Sequence, residues 1–119
     1  MTTGFDIRKY GDSQVVVWDN LKADDAGVTL DCTLLDVLTV SFEGDFGNGA
    51  EVVMEGSAGG KFFRMETPHG GIVSSMTEGI ENIYGRYLSV RPRVINGTDE
   101  TNLTIYLFCD IIRKRKKGG

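Results

Sequence analysis

Two stretches of alternating apolar and polar residues between positions 86 and 112 constrain the fold of this chain more than any other feature. In the first stretch, the apolar residues Leu88, Val90 and Val94 alternate with polar ones. In the second, the apolar positions that share one face are Leu103, Ile105, Leu107, Cys109 and Ile111. A period of two is typical of strands that bury one face. Because a polar segment at 96–100 separates the stretches, we predict a β-hairpin whose second strand lies centrally in its sheet.

Periodicity and β-branched residues predict further strands at 14–21, 28–35, 36–43, 51–55 and 61–66. In the strand at 36–43, we expect Leu38, Val40 and Phe42 on the buried face. The glycine-rich segment 56–60 joins the last two of these strands into a second hairpin.

Three segments carry weaker signals. Residues 1–13 show no clear periodicity and are interpreted as an extended arm. We expect a brief strand at Ile72-Val73, after a loop. Residues 76–85 have some helical spacing, but Gly79 and Gly85 bracket it, so we predict at most one helical turn there.

Length and composition favour a single all-β domain. A chain of 119 residues can bury one core but is too short for two, and sixteen glycines against two prolines indicate many tight turns. About seven or eight short strands predict a small antiparallel β-sandwich of jelly-roll-like form, with a small barrel as the alternative. We place the sandwich at 14–112, an N-terminal arm at 1–13 and a basic C-terminal tail at 113–119.

The net charge of −4 is distributed unevenly along the chain. Residues 1–112 contain all 17 acidic residues but only 8 of the 13 basic ones, a net charge of −9, whereas the run 113–117 carries +5. An acidic body repels a phosphate backbone, so we expect nucleic acid to bind through the basic tail or not at all. The chain has no apolar run long enough to span a bilayer and no signal-peptide pattern at its N-terminus, so we expect neither a membrane nor a secreted protein.

The sequence contains no arrangement that points to a reaction. His69 is the only histidine and lies in a Pro-His-Gly-Gly loop, where a solvent-exposed side chain is the expectation. Cys32 and Cys109 lack the histidines of a metal site, and we interpret both as buried, reduced thiols. We therefore expect no catalytic residue, no metal and no cofactor.

Two segments resemble known proteins. The first is Val52-Val-Met-Glu-Gly-Ser57 with its glycine turn and Lys61-Phe-Phe-Arg-Met65, and the second is Arg86 to Val94 with the turn and strand that follow to Leu107. Both resemble the hairpins of small tailed-bacteriophage virion proteins of the head decoration, or cement, type. The chain departs from that pattern at its Ala58-Gly59-Gly60 turn, where the family has Asn-Asp-Gly, and at Phe62 or Phe63, where the family has tryptophan.

The resemblance implies a non-enzymatic structural protein that binds the major capsid protein and stabilises the shell. It also implies a homo-trimer or another symmetric homo-oligomer, made in the host bacterial cytoplasm and located on the capsid surface of the virion. Small symmetric domains of this kind gain strength by making many equivalent contacts. Two alternatives stay open: a carbohydrate-binding β-sandwich for host attachment, with an aromatic platform near Phe62 or Tyr87, and another neck or tail component.

The residues that we predict to contact a partner are aromatic or basic. Trp18 is expected to be an anchor in the core or in an interface, and either Phe62 or Phe63 must face outward because adjacent strand residues point to opposite faces. The full set is Phe5, Tyr10, Trp18, Phe62, Tyr87, Arg91, Arg93, Arg113, Lys114 and Arg115.

Overall fold

The computed structural model of the protein describes residues 2–112, and these residues form an all-β structure without a helix. The described residues form twelve strands, of which five have only two residues and one has four. Their bounds are β1 Thr2–Thr3, β2 Phe5–Tyr10, β3 Ser13–Leu21, β4 Ala26–Gly27, β5 Leu30–Asp31, β6 Leu35–Asp45, β7 Glu51–Ser57, β8 Phe63–Arg64, β9 Ser74–Ser75, β10 Gly79–Asn82, β11 Ser89–Ile95 and β12 Asn102–Ile111.

The strands are divided between two sheets. Sheet I has the order β1-β4-β11-β7-β8, with β5 also paired to β11 and β9 to β7. Its pairs are antiparallel except for β1 with β4, which run parallel. Sheet II is antiparallel throughout, in the order β10-β6-β12-β3-β2. The long strand β12 lies in the middle of sheet II, as its sequence predicts.

The predicted hairpin of the last two long strands is wrong. Strand β11 pairs with β4, β5 and β7 in sheet I, whereas β12 pairs with β3 and β6 in sheet II. The segment 96–101 therefore carries the chain from one sheet to the other. The apolar faces of β11 and β12 meet across the core instead of lying side by side in one sheet. An alternating pattern specifies which face of a strand is buried. That face is the same whether the two strands are neighbours in one sheet or lie in two facing sheets.

The chain also changes sheet between β6 and β7, and a hydrogen bond ties the two crossings together. The buried hydroxyl of Thr101 donates to the carbonyl oxygen of Phe46 at 3.1 Å and accepts from the backbone N–H of Thr98 at 2.9 Å. Gly47, with a φ of 65°, passes so close to Thr98 and Thr101 that a side chain there would collide with both hydroxyls. The two crossings thus form one closed end of the molecule.

Both sheets contribute to a single hydrophobic core. Trp18, Phe42 and Leu107 from sheet II and Met54 from sheet I are fully buried within it. The indole N–H of Trp18 donates to the carbonyl oxygen of Val28 at 3.0 Å, so its one polar group is satisfied. A shared core between two sheets gives the protein a sandwich-like arrangement, which agrees with the predicted all-β class.

The strand predicted at 36–43 is confirmed, but a β-bulge changes which of its residues point into the core. The pairing partner of Phe108 is Thr39 and that of Cys109 is Val37, so Leu38 is an extra residue in β6. This β-bulge turns Val37 rather than Leu38 into the core and keeps Val40 and Phe42 there. The prediction for Leu38 is therefore wrong.

Two predictions outside the main strands also need correction. Residues 79–82 form strand β10 at the edge of sheet II, paired with β6, where a helical turn was predicted. In this edge strand Ile80 is exposed, whereas Ile83, just after it, is buried. The three-residue spacing of the two isoleucines suggested instead that they share one face of a helical turn. Within the segment interpreted as an arm, residues 5–10 form strand β2, paired along its length with β3.

The hairpin of β7 and β8 is confirmed, with Glu55 opposite Arg64 and Gly56 opposite Phe63. The brief strand expected at Ile72-Val73 lies at Ser74–Ser75, and Val73 is buried beside it. Among residues 2–112, no helix is long and apolar enough to cross a membrane. The tail at 113–119 lies outside the described residues.

Candidate interaction site

The outer face of sheet I carries a cluster of arginines around one carboxylate. Across the antiparallel strands, Arg91 of β11 lies opposite Glu55 of β7, and Glu55 lies opposite Arg64 of β8. Paired residues on neighbouring strands project from the same face. Because the alternate residues of β7 and β11 enter the core, these three side chains face away from it. We call Glu55, Phe62, Arg64, Arg91 and Arg93 the arginine cluster.

Two arginines share a single oxygen of Glu55. The Nε atoms of Arg91 and Arg93 lie 3.0 Å and 3.2 Å from Glu55 Oε1. The Glu55 side chain is only 15% exposed and that of Arg91 25%, so this pair is partly shielded from water, whereas Arg93 is 46% exposed. Shielding strengthens the interaction relative to a fully solvated ion pair.

Phe62 extends the cluster with an aromatic ring. The guanidinium carbon of Arg91 lies 4.0 Å from the centre of the Phe62 ring, a cation–π contact. Arg91 is therefore held by Glu55 on one side and by Phe62 on the other. Such a fixed guanidinium loses little conformational freedom when it binds a further group.

The cluster is positively charged on an otherwise acidic protein. It contains three guanidinium groups against one carboxylate, a net charge of +2, and residues 1–112 as a whole carry −9. In the described part of the chain, Arg64 forms no ion pair and its side chain is exposed. The fork of N–H donors on arginine suits carboxylates, so this face is equipped to bind an acidic group on another molecule.

Tyr87 lies near the arginine cluster in sequence but on the other side of sheet I. Its ring packs over Gly56, where any side chain would overlap it, and its hydroxyl donates to the carbonyl oxygen of Tyr84 at 2.8 Å. The exposed aromatic rings in this region are instead Phe63, at 69%, and Tyr84, at 61%. Of the pair Phe62 and Phe63, Phe63 is therefore the more exposed, while Phe62 is half-buried beneath Arg91 on the outer face of sheet I.

The other predicted contact residues do not join the cluster. Trp18 is fully buried, so it serves the core and presents no surface to a partner. Phe5 packs edge-on against it, with ring centres 5.6 Å apart, and Tyr10 is exposed at the far edge of sheet II. Arg113, Lys114 and Arg115 lie outside the described residues. The structure therefore unites Phe62, Arg91 and Arg93, to which it adds Glu55 and Arg64.

No group of three or more His, Cys, Asp or Glu side chains within residues 2–112 could hold a metal ion. A surface groove of about 410 Å³ is lined by Asp31, Thr33, Leu34 and Leu35. Hydrogen bonds from the hydroxyl and the backbone N–H of Thr33 lower the pKa of Asp31, which keeps this carboxylate ionised.

The two thiols are free and buried, and both are poor nucleophiles. Burial raises the pKa of the Cys32 thiol to about 12, and the negative charge of Asp31 acts in the same direction. Burial likewise raises the pKa of Cys109 to about 12, followed by the influence of Cys32 and Asp110. Since the thiolate is the reactive form, neither cysteine is activated for covalent chemistry.

Comparison of the chain with known protein families, with curated proteins and with solved structures finds no match.

Proposed function

We propose that this protein is a non-enzymatic structural component of a bacteriophage virion, a capsid decoration protein that binds the major capsid protein and stabilises the shell. The observation that carries the proposal is the arginine cluster, a basic surface on an acidic domain in which Glu55 and Phe62 hold Arg91 in place. Its chemistry suits attachment to acidic groups of another protein. The two-segment resemblance to decoration proteins supplies the kind of partner.

The fold is suited to this role. A small two-sheet domain, for which we propose jelly-roll-like topology, can present one sheet face to the shell without changing its own conformation. Each contact can be weak, because a symmetric homo-oligomer such as a trimer engages several capsid subunits at once. In this proposal, the N-terminal residues and the basic tail add contacts to neighbouring subunits.

Carbohydrate binding for host attachment is a second candidate, favoured by the exposed rings of Phe63 and Tyr84. Aromatic faces of this kind stack on sugar rings. However, the platform predicted at Phe62 and Tyr87 is less open, because Arg91 covers one ring and the other packs on Gly56. A Phe63→Ala and Tyr84→Ala double variant separates the candidates, since it should abolish glycan binding and leave capsid binding intact.

Binding to empty shells tests the main proposal. The shells come from the phage that encodes the chain and are assembled without it, and bound protein is measured by co-sedimentation. We expect saturable binding for the wild type and at least about tenfold weaker binding for the Arg64→Ala and Arg93→Ala double variant, given the strength of charged contacts across interfaces. The Lys22→Ala variant is the control, because Lys22 is exposed in the turn between β3 and β4.

Two results would contradict the proposal. Absence of wild-type co-sedimentation would remove the capsid role, and a glycan array would become the next assay. Equal binding of the wild type and the double arginine variant would show that the arginine cluster is not the attachment surface.

A further inference from the structure

Strand β2 forms an open edge of sheet II. Among residues 2–112, sheet II ends at β2, which pairs with β3 on one side only. Residues 6–10 of this strand are exposed, including Ile7 at 46%. A strand edge of this length presents unpaired backbone donors and acceptors, to which another strand can add.

The turn before β3 determines which residues direct their backbone groups to this edge. Tyr10 pairs with Ser13, and the two residues between them form a tight turn with Gly11 at a φ of 63°. The two residues that flank a two-residue hairpin turn are hydrogen-bonded to each other. From there, hydrogen-bonded pairs alternate with non-hydrogen-bonded pairs along the two strands. Arg8 and Asp6 therefore bond to β3, while the N–H and C=O groups of Phe5, Ile7 and Lys9 point outward.

We infer that two copies of the protein pair antiparallel through β2, with Ile7 on the two-fold axis. In this register, Ile7 lies opposite Ile7 of the second copy and Phe5 lies opposite its Lys9. All of these residues have outward backbone groups, so each facing pair can form two hydrogen bonds. The result is a continuous sheet of two copies of sheet II.

Charge complementarity selects this register over its neighbours. With Ile7 on the axis, Asp6 of each copy lies opposite Arg8 of the other, at the close side-chain spacing of non-bonded pairs. Sliding one copy by two residues along the other places Arg8 opposite Arg8, and sliding it by two residues in the other direction places Asp6 opposite Asp6. Both shifts bring like charges together. The sequence of β2 is thus self-complementary in one register only.

The apolar positions agree with the same arrangement. Phe5 and Ile7 lie on the inner face of β2, because their partners Trp18 and Val16 are core residues. Pairing of two copies would cover Ile7 with its equivalent and place the Lys9 stem of the second copy against Phe5. The inference is independent of the capsid role, since it concerns only contacts between identical chains.

Sedimentation velocity over a range from about 5 to 500 μM tests this pairing, a span suited to a small interface. We expect a monomer–dimer equilibrium for the wild type. The Asp6→Arg and Arg8→Asp variants should each weaken self-association by about tenfold or more, since each places like charges at both symmetric positions. An equal mixture of the two variants restores opposite charges at both positions and should form a heterodimer.

A backbone variant tests the hydrogen bonds directly. Proline at position 7 removes an N–H that points to the open edge and leaves the ladder with β3 intact, so Ile7→Pro should abolish dimers while the monomer keeps its circular dichroism spectrum. The Lys22→Asp variant controls for net charge and should dimerise like the wild type. A wild type that stays monomeric throughout, or dimers that survive Ile7→Pro or both single charge reversals, would overturn the inference.

Discussion

Gly27 lies where sheet I approaches the single tryptophan, and replacing it with alanine should destabilise the fold. A Cβ atom at this position would lie 2.6 Å from Pro92 Cδ and 2.6 Å from both Cδ1 and Nε1 of Trp18. The Trp18 ring is fully buried, and its N–H donates a hydrogen bond to the carbonyl oxygen of Val28, the residue that follows Gly27. Neither neighbour can move away without disturbing the core.

The expected cost follows from overpacking. Forcing one extra carbon into a well-packed interior costs about 1–3 kcal/mol. Here the added methyl group meets two rigid ring systems, so we expect about 2–3 kcal/mol, including strain on the tryptophan hydrogen bond. For a domain of this size, such a loss lowers Tm by roughly 5–12 °C.

Thermal unfolding followed by Trp18 fluorescence measures this effect, because a buried indole reports the loss of the core around it. Gly79→Ala is the matched control: a Cβ there meets nothing within 4 Å, so its Tm should change by no more than about 2 °C. A Gly27→Ala variant with the same Tm as the control would refute the close packing of β4 on Trp18.

Three further predictions concern stability. The free energy of unfolding should decline as pH rises from about 9 towards 12, because thiols of the unfolded chain ionise near pH 9.0 and the buried thiols near 12. Denaturant titrations of a Cys32→Ala and Cys109→Ala double variant should show a smaller decline, and equal slopes would contradict this. Thr101→Val should cost about 1–3 kcal/mol in urea unfolding, because it strands the carbonyl oxygen of Phe46 inside the closed end; a change under about 0.5 kcal/mol would argue against that link. Glu55→Gln should cost about 1–2 kcal/mol at low salt and less at high salt, as expected for a partly shielded pair with two arginines, and a salt-independent loss would point to packing instead.

The sequence predicted individual strands better than it predicted their partners. The alternation in 102–111 correctly placed β12 in the centre of a sheet, and the glycine turn at 56–60 correctly joined β7 to β8. The sequence did not predict the partners of β11 and β12. Their apolar faces are buried equally well whether the two strands are neighbours in one sheet or lie in the two facing sheets. Backbone hydrogen bonds have the same chemistry in both cases, so the choice depends on distant parts of the chain.

The edge strands were missed for a related reason. Strand β2 has apolar residues only at Phe5 and Ile7 on one face, and no residue within β10 is buried, because an edge strand has less surface to bury. The turn at Gly11 was nevertheless a signal that β2 and β3 form a hairpin.

Three of the five residues of the arginine cluster are predicted from the sequence. Their residue types predict that Phe62, Arg91 and Arg93 contact a partner, and the structure places these three side chains together. Glu55 and Arg64 were missed because their place depends on the register of three strands, which no local pattern specifies. Trp18 was misjudged in part, since a large aromatic residue in a strand is equally compatible with core and interface.

The most direct test of the proposed capsid role is a heat challenge of shells assembled without the protein, with and without saturating wild-type chain. We predict that the bound protein raises the temperature at which the shells break, and that the Arg64→Ala and Arg93→Ala double variant, at the same concentration, raises it less. Shells that break at the same temperature with and without the wild-type protein would contradict the account.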